Sequence, residues 1–318
     1  MAQGCNLVLD SKDFHDIKSN LVKTTLSSQE RATNRLNARK TLAQNLKKPK
    51  DLRNILLNKE HTDHAKLDTL LKVAMVGERT PRSELYKLSP ALGQILKHHH
   101  NLPGMFQKVP SYRSKTAASM NHHYEVTATA KLTQMGEAGL KLKTLSGVNL
   151  AIGKTDQISF GYKQTSEPLV NGQRKGTYEP DLLIDKSHVG RAPIGIDMKF
   201  TKNANYNIPS KPLSEKLEQI STGILTGKLE SFNFVTNAKF GNKTRSTINK
   251  ANAKLVESYL DDEFNNDFKE NYNKICSENN VDPKEIELSN NIEVLDQIVR
   301  SKDGEGFFGI AENVVFEG

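Results

Sequence analysis

Cysteine is nearly absent: Cys5 and Cys276 are the only two in 318 residues. Two thiols so far apart in sequence build neither a disulfide framework nor a zinc knuckle, and such sparing use suits a reducing compartment. Long apolar runs are missing as well. No stretch approaches the roughly 20 residues that span a bilayer, and with 36% hydrophobic residues and a mean hydropathy of −0.59 the chain reads as soluble and rather polar. The opening MAQGCNLVLDSKDF has no basic segment leading into an apolar one, and Asp10 and Asp13 interrupt it early, so no Sec-type export signal is expected. Gly147 and Gly153 do not make a phosphate-binding loop of any recognised spacing. There is no internal repeat and no low-complexity tract.

Acidic residues are scarce over most of the chain. Residues 1–120 hold 21 Lys and Arg against 10 Asp and Glu, and residues 121–250 hold 18 against 11. Residues 251–318 reverse the balance, with 6 against 16, and the whole chain carries a formal charge of +8. A basic body of this kind attracts a polyanion and releases its counterions on binding, so nucleic acid is a natural partner. A solvated surface with a sign asymmetry is the plainer account of the same numbers.

Residues 10 to about 97 place apolar residues three and four apart, as helices do, and Pro81 and Pro90 punctuate the later part. Residues 101–119 carry two prolines, a glycine and no acidic residue, which predicts a linker or basic contact loop around Tyr112, Arg113 and Lys115. From Asp156 the period changes to two: Ile158, Phe160 and Tyr162 alternate with polar or small residues. Turn formers at 166–177 predict a hairpin connection. Apolar runs at 180–184, 193–200 and 232–240 predict strands, and LSEKLEQISTGILTG, from Ser214 to Gly227, predicts a helix between the second and third. Strands, helix, then strand make an α/β core. The organisation expected is a helical region over 1–115, the core over 116–245 and an acidic C-terminal extension over 246–318, beginning with a helix from Ser246 and ending in a strand near GFFGIAENVVF.

Within the core, Pro180-Asp181-Leu182-Leu183-Ile184 precedes Ile194-Gly195-Ile196-Asp197-Met198-Lys199-Phe200, with Asp181 and Asp197 16 positions apart. Side chains two apart on a strand project from the same face, about 7 Å apart along the chain. Asp197 and Lys199 therefore point one way while Ile196, Met198 and Phe200 fill the other. If Asp181 borders a neighbouring strand, a second carboxylate reaches the same point, and hard oxygen donors of this kind suit Mg²⁺. An Asp-x-Lys triplet alone says little, since Asp10-Ser11-Lys12 and Asp16-Ile17-Lys18 sit in a predicted helix. Pro180-Asp181, however, is the only Pro-Asp in the chain. The alternative is an ordinary exposed pair on an edge strand.

This pair of segments resembles the signature of the PD-(D/E)XK nucleases, over roughly residues 120–240. The resemblance implies a restriction-endonuclease-like core, a mixed central sheet flanked by helices, that hydrolyses phosphodiester bonds with Mg²⁺ or Mn²⁺ and leaves a 5′-phosphate. It implies that Asp181 and Asp197 bind the metal and that Lys199 orients or deprotonates the attacking water or offsets developing charge. It further implies an acidic residue from a preceding helix, which Glu125 matches, and a helix residue facing the site, which Gln219 matches. The segment around Glu125 alternates like a strand at Tyr124, Val126, Ala128 and Ala130, and also fits a helical face at Met120, Tyr124, Ala128, Leu132 and Met135. Its length favours helix. Glu125 and Gln219 read equally as solvated polar residues, and both readings stay open at this level. His122 and His123 lack a third ligand at useful spacing, and His98-His99-His100 read as a flexible polar end.

DNA is the expected substrate, with RNA left open, and the expected site of action is the cytoplasm. A toxin nuclease delivered into a competing bacterium and neutralised by an acidic immunity protein is one setting. A restriction, transposition or repair endonuclease is another. From a different class stands a non-catalytic nucleic-acid-binding or adaptor protein that keeps a nuclease-like fold. The acidic extension suggests a cover over the basic groove, whose removal beyond Leu255 would raise activity.

Overall fold

Apolar runs with β-branched and aromatic residues become strands wherever both faces can be buried, and here they do so around one sheet. In the computed structural model, the described residues are 90–99, 102, 117–161, 164–165, 177–301 and 306–317. Most of the predicted N-terminal helices and the loop around Tyr112, Arg113 and Lys115 lie outside them. The described chain runs through helices α1 (Pro90–Leu96) and α2 (Ala117–Glu137), strands β1 (Gln157–Phe160), β2 (Gln164–Thr165), β3 (Thr177–Tyr178), β4 (Leu182–Asp185) and β5 (Ile194–Lys199). It continues with β6 (Asn205–Tyr206), α3 (Ser210–Leu225), β7 (Ser231–Thr236), β8 (Lys239–Phe240), α4 (Asn242–Asp261), α5 (Asn266–Glu278), α6 (Ile292–Ser301) and β9 (Phe308–Ala311).

The central sheet has the order β1-β4-β5-β7-β9. β1, β4 and β5 pair antiparallel, whereas β5–β7 and β7–β9 are parallel, so the sheet is mixed. A parallel neighbour requires a crossover, and α3 supplies the one between β5 and β7. β2 and β3 pair antiparallel at the two ends of the predicted hairpin connection. Two cores flank the sheet. One joins Leu92, Val126 and Leu132 of α1 and α2 to Ile184, Ile196 and Met198; the other joins Leu217 and Ile220 of α3 to Phe232, Phe234, Ile248 of α4 and Leu295 of α6. The fold is thus α/β with helices on both faces.

The apparent strand pattern near Glu125 has a simple origin. α2 is buried on more than one side, so Tyr124 and Leu132 on one flank and Val126 and Ala130 on another all leave water, and alternation appears by chance within a helical period. α3 begins four residues earlier than its apolar stripe suggested, at Ser210. Pro212 falls in the first turn, where its missing N–H costs no helical hydrogen bond. The stripe itself, Leu213, Leu217, Ile220 and Ile224, is buried. The helix expected from 246 to about 275 is two helices. At the break, Asp262 accepts hydrogen bonds from the Phe264 N–H (3.1 Å) and the Asn265 Nδ2 (2.9 Å), a local turn that competes with helix.

The segment 246–318 is not an extension laid over the core. Its last strand, β9, is the fifth strand of the sheet, with Phe308 opposite Phe232 and Ile310 opposite Phe234, and Tyr124 of α2 donates to the Val314 carbonyl (3.1 Å). Removing everything after Leu255 would strip buried Phe307, Phe308 and Leu295 from the core; the expected gain in activity on deletion therefore does not apply. His98 and His99 are likewise not a loose polar end: the His98 ring lies 3.4 Å from Glu137 of α2, and His99 is buried.

Candidate active site

The register of β4 against β5 decides where the carboxylates fall. Leu182 pairs with Ile196, so one step further Asp181 stands beside Asp197, on the same face, as opposite residues of an antiparallel pair do. Ile194, Ile196 and Met198 point into the α2 core. The odd-numbered positions of β5 face α3 instead, and on that side the Phe232 ring of the neighbouring β7 lies over Gly195, where a Cβ would stand 2.5 Å from it. Asp197 is 3% exposed, and its Oδ1 lies 2.7 Å from the Lys199 Nζ. Asp181 Oδ2 accepts a hydrogen bond from the Met198 N–H at 2.7 Å and lies 3.5 Å from the same lysine. Asp181, Asp197 and Lys199 are therefore one cluster.

Glu125 comes to this cluster from the other face of the sheet. Its carboxylate is buried and close enough to raise the pKa of Asp181. Asn121, one turn earlier on α2, donates from Nδ2 to Glu125 Oε1 (2.9 Å), and its Oδ1 accepts from the Phe200 N–H (3.0 Å). Asn121 thus ties Glu125 to the end of β5. Gln219 is half-buried on α3 and makes no hydrogen bond to Asp181, Asp197 or Lys199. The side chain that α3 does place there is Lys216, whose Nζ lies 3.1 Å from Asp197 Oδ2 and 5.4 Å from the centre of the Phe232 ring.

Sequence reasoning missed Lys216 and Asn121. The signal for Lys216 is the crossover: α3 starts where β5 ends and runs back beside it, so its first two turns lie level with Asp197. Gln219 is a further 4.5 Å or so along the axis. Asn121 carries no comparable signal, since a polar residue one turn before another is common on any helix.

Like charges brought together out of water do not both ionise freely. Burial and the adjoining Asp197 carboxyl, reinforced by Glu125, push Asp181 up to about 8 against the pull of Lys199. Burial works on Asp197 in the same direction, but Lys199 and Lys216 outweigh it and hold that carboxyl below the ordinary range. Burial disfavours the Lys199 ammonium; Asp197 and Asp181 more than compensate, with a further contribution from Tyr206, and its pKa is raised. The cluster without a dication is thus a charged Asp197 between two ammonium groups, beside an Asp181 that holds its proton to unusually high pH.

Comparisons with protein-family models, curated proteins and solved structures find no match to this chain.

The donor set fits a small hard dication: carboxylate oxygens of Asp181, at the start of β4, and of Asp197 on the adjoining β5, with Glu125 behind them. No group of three or more His, Cys, Asp or Glu side chains among the described residues forms a ready-made cage. Occupation would require Asp197 to exchange at least one lysine contact for the ion, and would lift the like-charge repulsion that keeps Asp181 protonated.

Proposed function

We propose that this chain is a metal-dependent phosphodiesterase of the PD-(D/E)XK type that cleaves nucleic acid, with DNA as its substrate. The observation that carries the reading is the convergence of Asp181, which directly precedes β4, with buried Asp197 and half-buried Lys199 of the adjoining β5. Clusters of mutually repelling carboxylates are poor devices for stability and recur where chemistry needs them.

Asp181 and Asp197 would hold Mg²⁺ or Mn²⁺, and Glu125 would complete or polarise the site. The bound ion supplies charge neutralisation at the phosphate and acidifies a water molecule. Lys199 keeps its proton beside Asp197 and so acts as a donor, orienting the attacking water or stabilising charge on the phosphoryl oxygens. Lys216, released from Asp197, is a second cation at the same phosphate. Asn121 fixes the Glu125 carboxylate. Gln219, one turn deeper along α3, lines the approach of the substrate backbone.

The competing reading is a nuclease-like fold that binds nucleic acid without cutting it. It is favoured by one observation: both oxygens of Asp197 already meet lysines, at 2.7 and 3.1 Å. Incubation of the purified chain with plasmid DNA and with RNA, in Mg²⁺ or in EDTA, separates the two. Cleavage that needs the metal and disappears in Lys199→Ala supports the enzyme; intact nucleic acid under every condition, with binding retained, supports the binder. As for setting, the activity suits a toxin delivered into a competing bacterium and neutralised by an acidic immunity protein, and it suits restriction, transposition or repair equally.

A further inference from the structure

Beyond the catalytic cluster, the chain carries a basic surface that starts at the end of β5 and runs outward along α4. Residues 198–214 and 231–256 contain no Asp or Glu at all. These two segments are laced together. Thr201 and Asn237 exchange two hydrogen bonds (2.9 and 2.7 Å), the Gly241 N–H donates to the Tyr206 carbonyl (2.9 Å), and the Ile208 N–H donates to Thr244 Oγ1 (2.8 Å). Their strands β6 and β8 pair, with Lys239 opposite Asn205. The starts of α3 and α4 therefore lie side by side on one platform, which is joined to the end of β5 at Thr201, two residues beyond Lys199. Neither helix has a side-chain cap or an acidic residue in its first turn, so their positive ends are not neutralised from within.

On α4 the buried face is Thr244, Ile248, Asn252, Ala253, Leu255 and Val256. Away from it, Lys243, Thr247, Lys250 and Lys254 follow one another at steps of four, three and four residues, which places them on one side of the helix. The three lysines are exposed, and among the described residues none of them forms an ion pair. At 1.5 Å per residue the stripe from Lys243 to Lys254 is about 17 Å long, the length of roughly five phosphates of one strand of a duplex. Glu257 and Asp261 continue the same side with the opposite charge and close it.

We propose that the Lys243–Lys250–Lys254 stripe, headed by Lys239 on the platform, is the surface along which the phosphate backbone of a nucleic acid lies as it enters the catalytic cluster. The inference rests on the phosphodiesterase reading for its setting. Its shared ligand chemistry is a sugar-phosphate backbone, and the test distinguishes DNA from RNA.

The experiment measures binding of the full chain to a labelled DNA duplex and to an RNA duplex by fluorescence anisotropy across a salt series, in EDTA so that nothing is cut. The triple variant Lys243→Ala, Lys250→Ala, Lys254→Ala is compared with Lys269→Ala, Lys274→Ala, Lys284→Ala, which changes net charge equally on a different surface. Alanine is a good helix former, so α4 keeps its fold. The expected result is a salt slope reduced by about 0.9 for each stripe lysine that meets a phosphate, and affinity lowered at least about tenfold, with the other triple near wild type. The duplex that shows this loss is the partner. Equal effects of the two triples would overturn the proposal, as would a polyglutamate peptide that displaces the duplex from the wild type but not from the stripe variant while binding more tightly than either duplex. Stripe-dependent binding by a wild type that cuts nothing in Mg²⁺ would sink the phosphodiesterase reading and leave the stripe standing. Cleavage by wild type together with unchanged binding by the stripe variant would do the reverse.

Discussion

Two buried aspartates in this protein, Asp156 and Asp197, are almost equally removed from water, at 5% and 3% exposure, yet their surroundings differ in kind. Asp156 is a lone carboxylate in a loop. Its Oδ2 accepts from the Gly153 N–H (2.7 Å) and the Lys186 ammonium (2.9 Å), with the His188 ring 3.5 Å from Oδ1. One negative charge meets donors enough, and the arrangement clasps the start of β1 to the turn after β4. Asp197 stands next to a second carboxylate, with a third behind, between two lysines. Burial of one paired charge is explained by stability; burial of several charges, some of them alike, is not.

The contrast breaks most visibly on substitution. Asp197→Ala is expected to abolish metal-dependent cleavage, a loss on the order of 10²-fold to 10⁴-fold or more, and to lower thermal stability in EDTA as well, because Lys199 and Lys216 lose their buried counter-charge. Asp156→Ala is expected to leave cleavage near wild type and to lower stability by about 2–3 kcal/mol, less than for a fully buried pair because the Lys186 side chain keeps 15% exposure. Thermal melts and the plasmid assay on both variants decide the matter. Cleavage lost equally in both variants would remove the distinction.

A smaller effect is expected at Asn121, which touches no reacting group. Asn121→Ala frees Glu125 from the end of β5, and metal affinity should fall on the order of tenfold to a hundredfold. The Mn²⁺ concentration at the midpoint of the metal-induced rise in Tm reads this without any turnover. A midpoint equal to wild type would show that Glu125 needs no such anchor.

The comparison sharpens further through pH. Asp181 binds a proton more tightly in the folded state, up to about 8, than at its ordinary value of 3.8. Its contribution to stability therefore declines as pH rises through that window, since folding must take up a proton that the unfolded chain has already lost, and free protons grow scarcer. Asp181→Asn removes the decline. In EDTA the variant should melt above wild type near pH 8. The difference should vanish near pH 4. A difference independent of pH would place the stabilisation elsewhere.

Much of the frame was legible because it depends on local periodicity. The runs at 180–184, 193–200 and 232–240 become β4, β5 and β7 with β8, and the stripe Leu213, Leu217, Ile220, Ile224 becomes the buried face of α3. The side-by-side placement of Asp197 and Lys199 follows from the strand period of two. Other features were not legible because they depend on partners distant in sequence. Residues 308–311 look like a stray strand in an acidic tail until β7 pairs with them. Gln219 and Lys216 are both polar positions on one helix, and only the depth at which α3 docks selects Lys216 for Asp197. The alternation near Glu125 is ambiguous until both sides of α2 are seen to be buried.

By itself, then, the chain determined its α/β character, the strands that carry Asp181, Asp197 and Lys199, and the face on which the last two lie, because these follow from backbone geometry over a few residues. Only the tertiary structure decided that Asp181 stands opposite Asp197, that Lys216 and Asn121 complete the surroundings, and that the C-terminal segment closes the sheet. Strand register, helix depth and strand order are set by how distant apolar surfaces bury one another, and no local pattern encodes that.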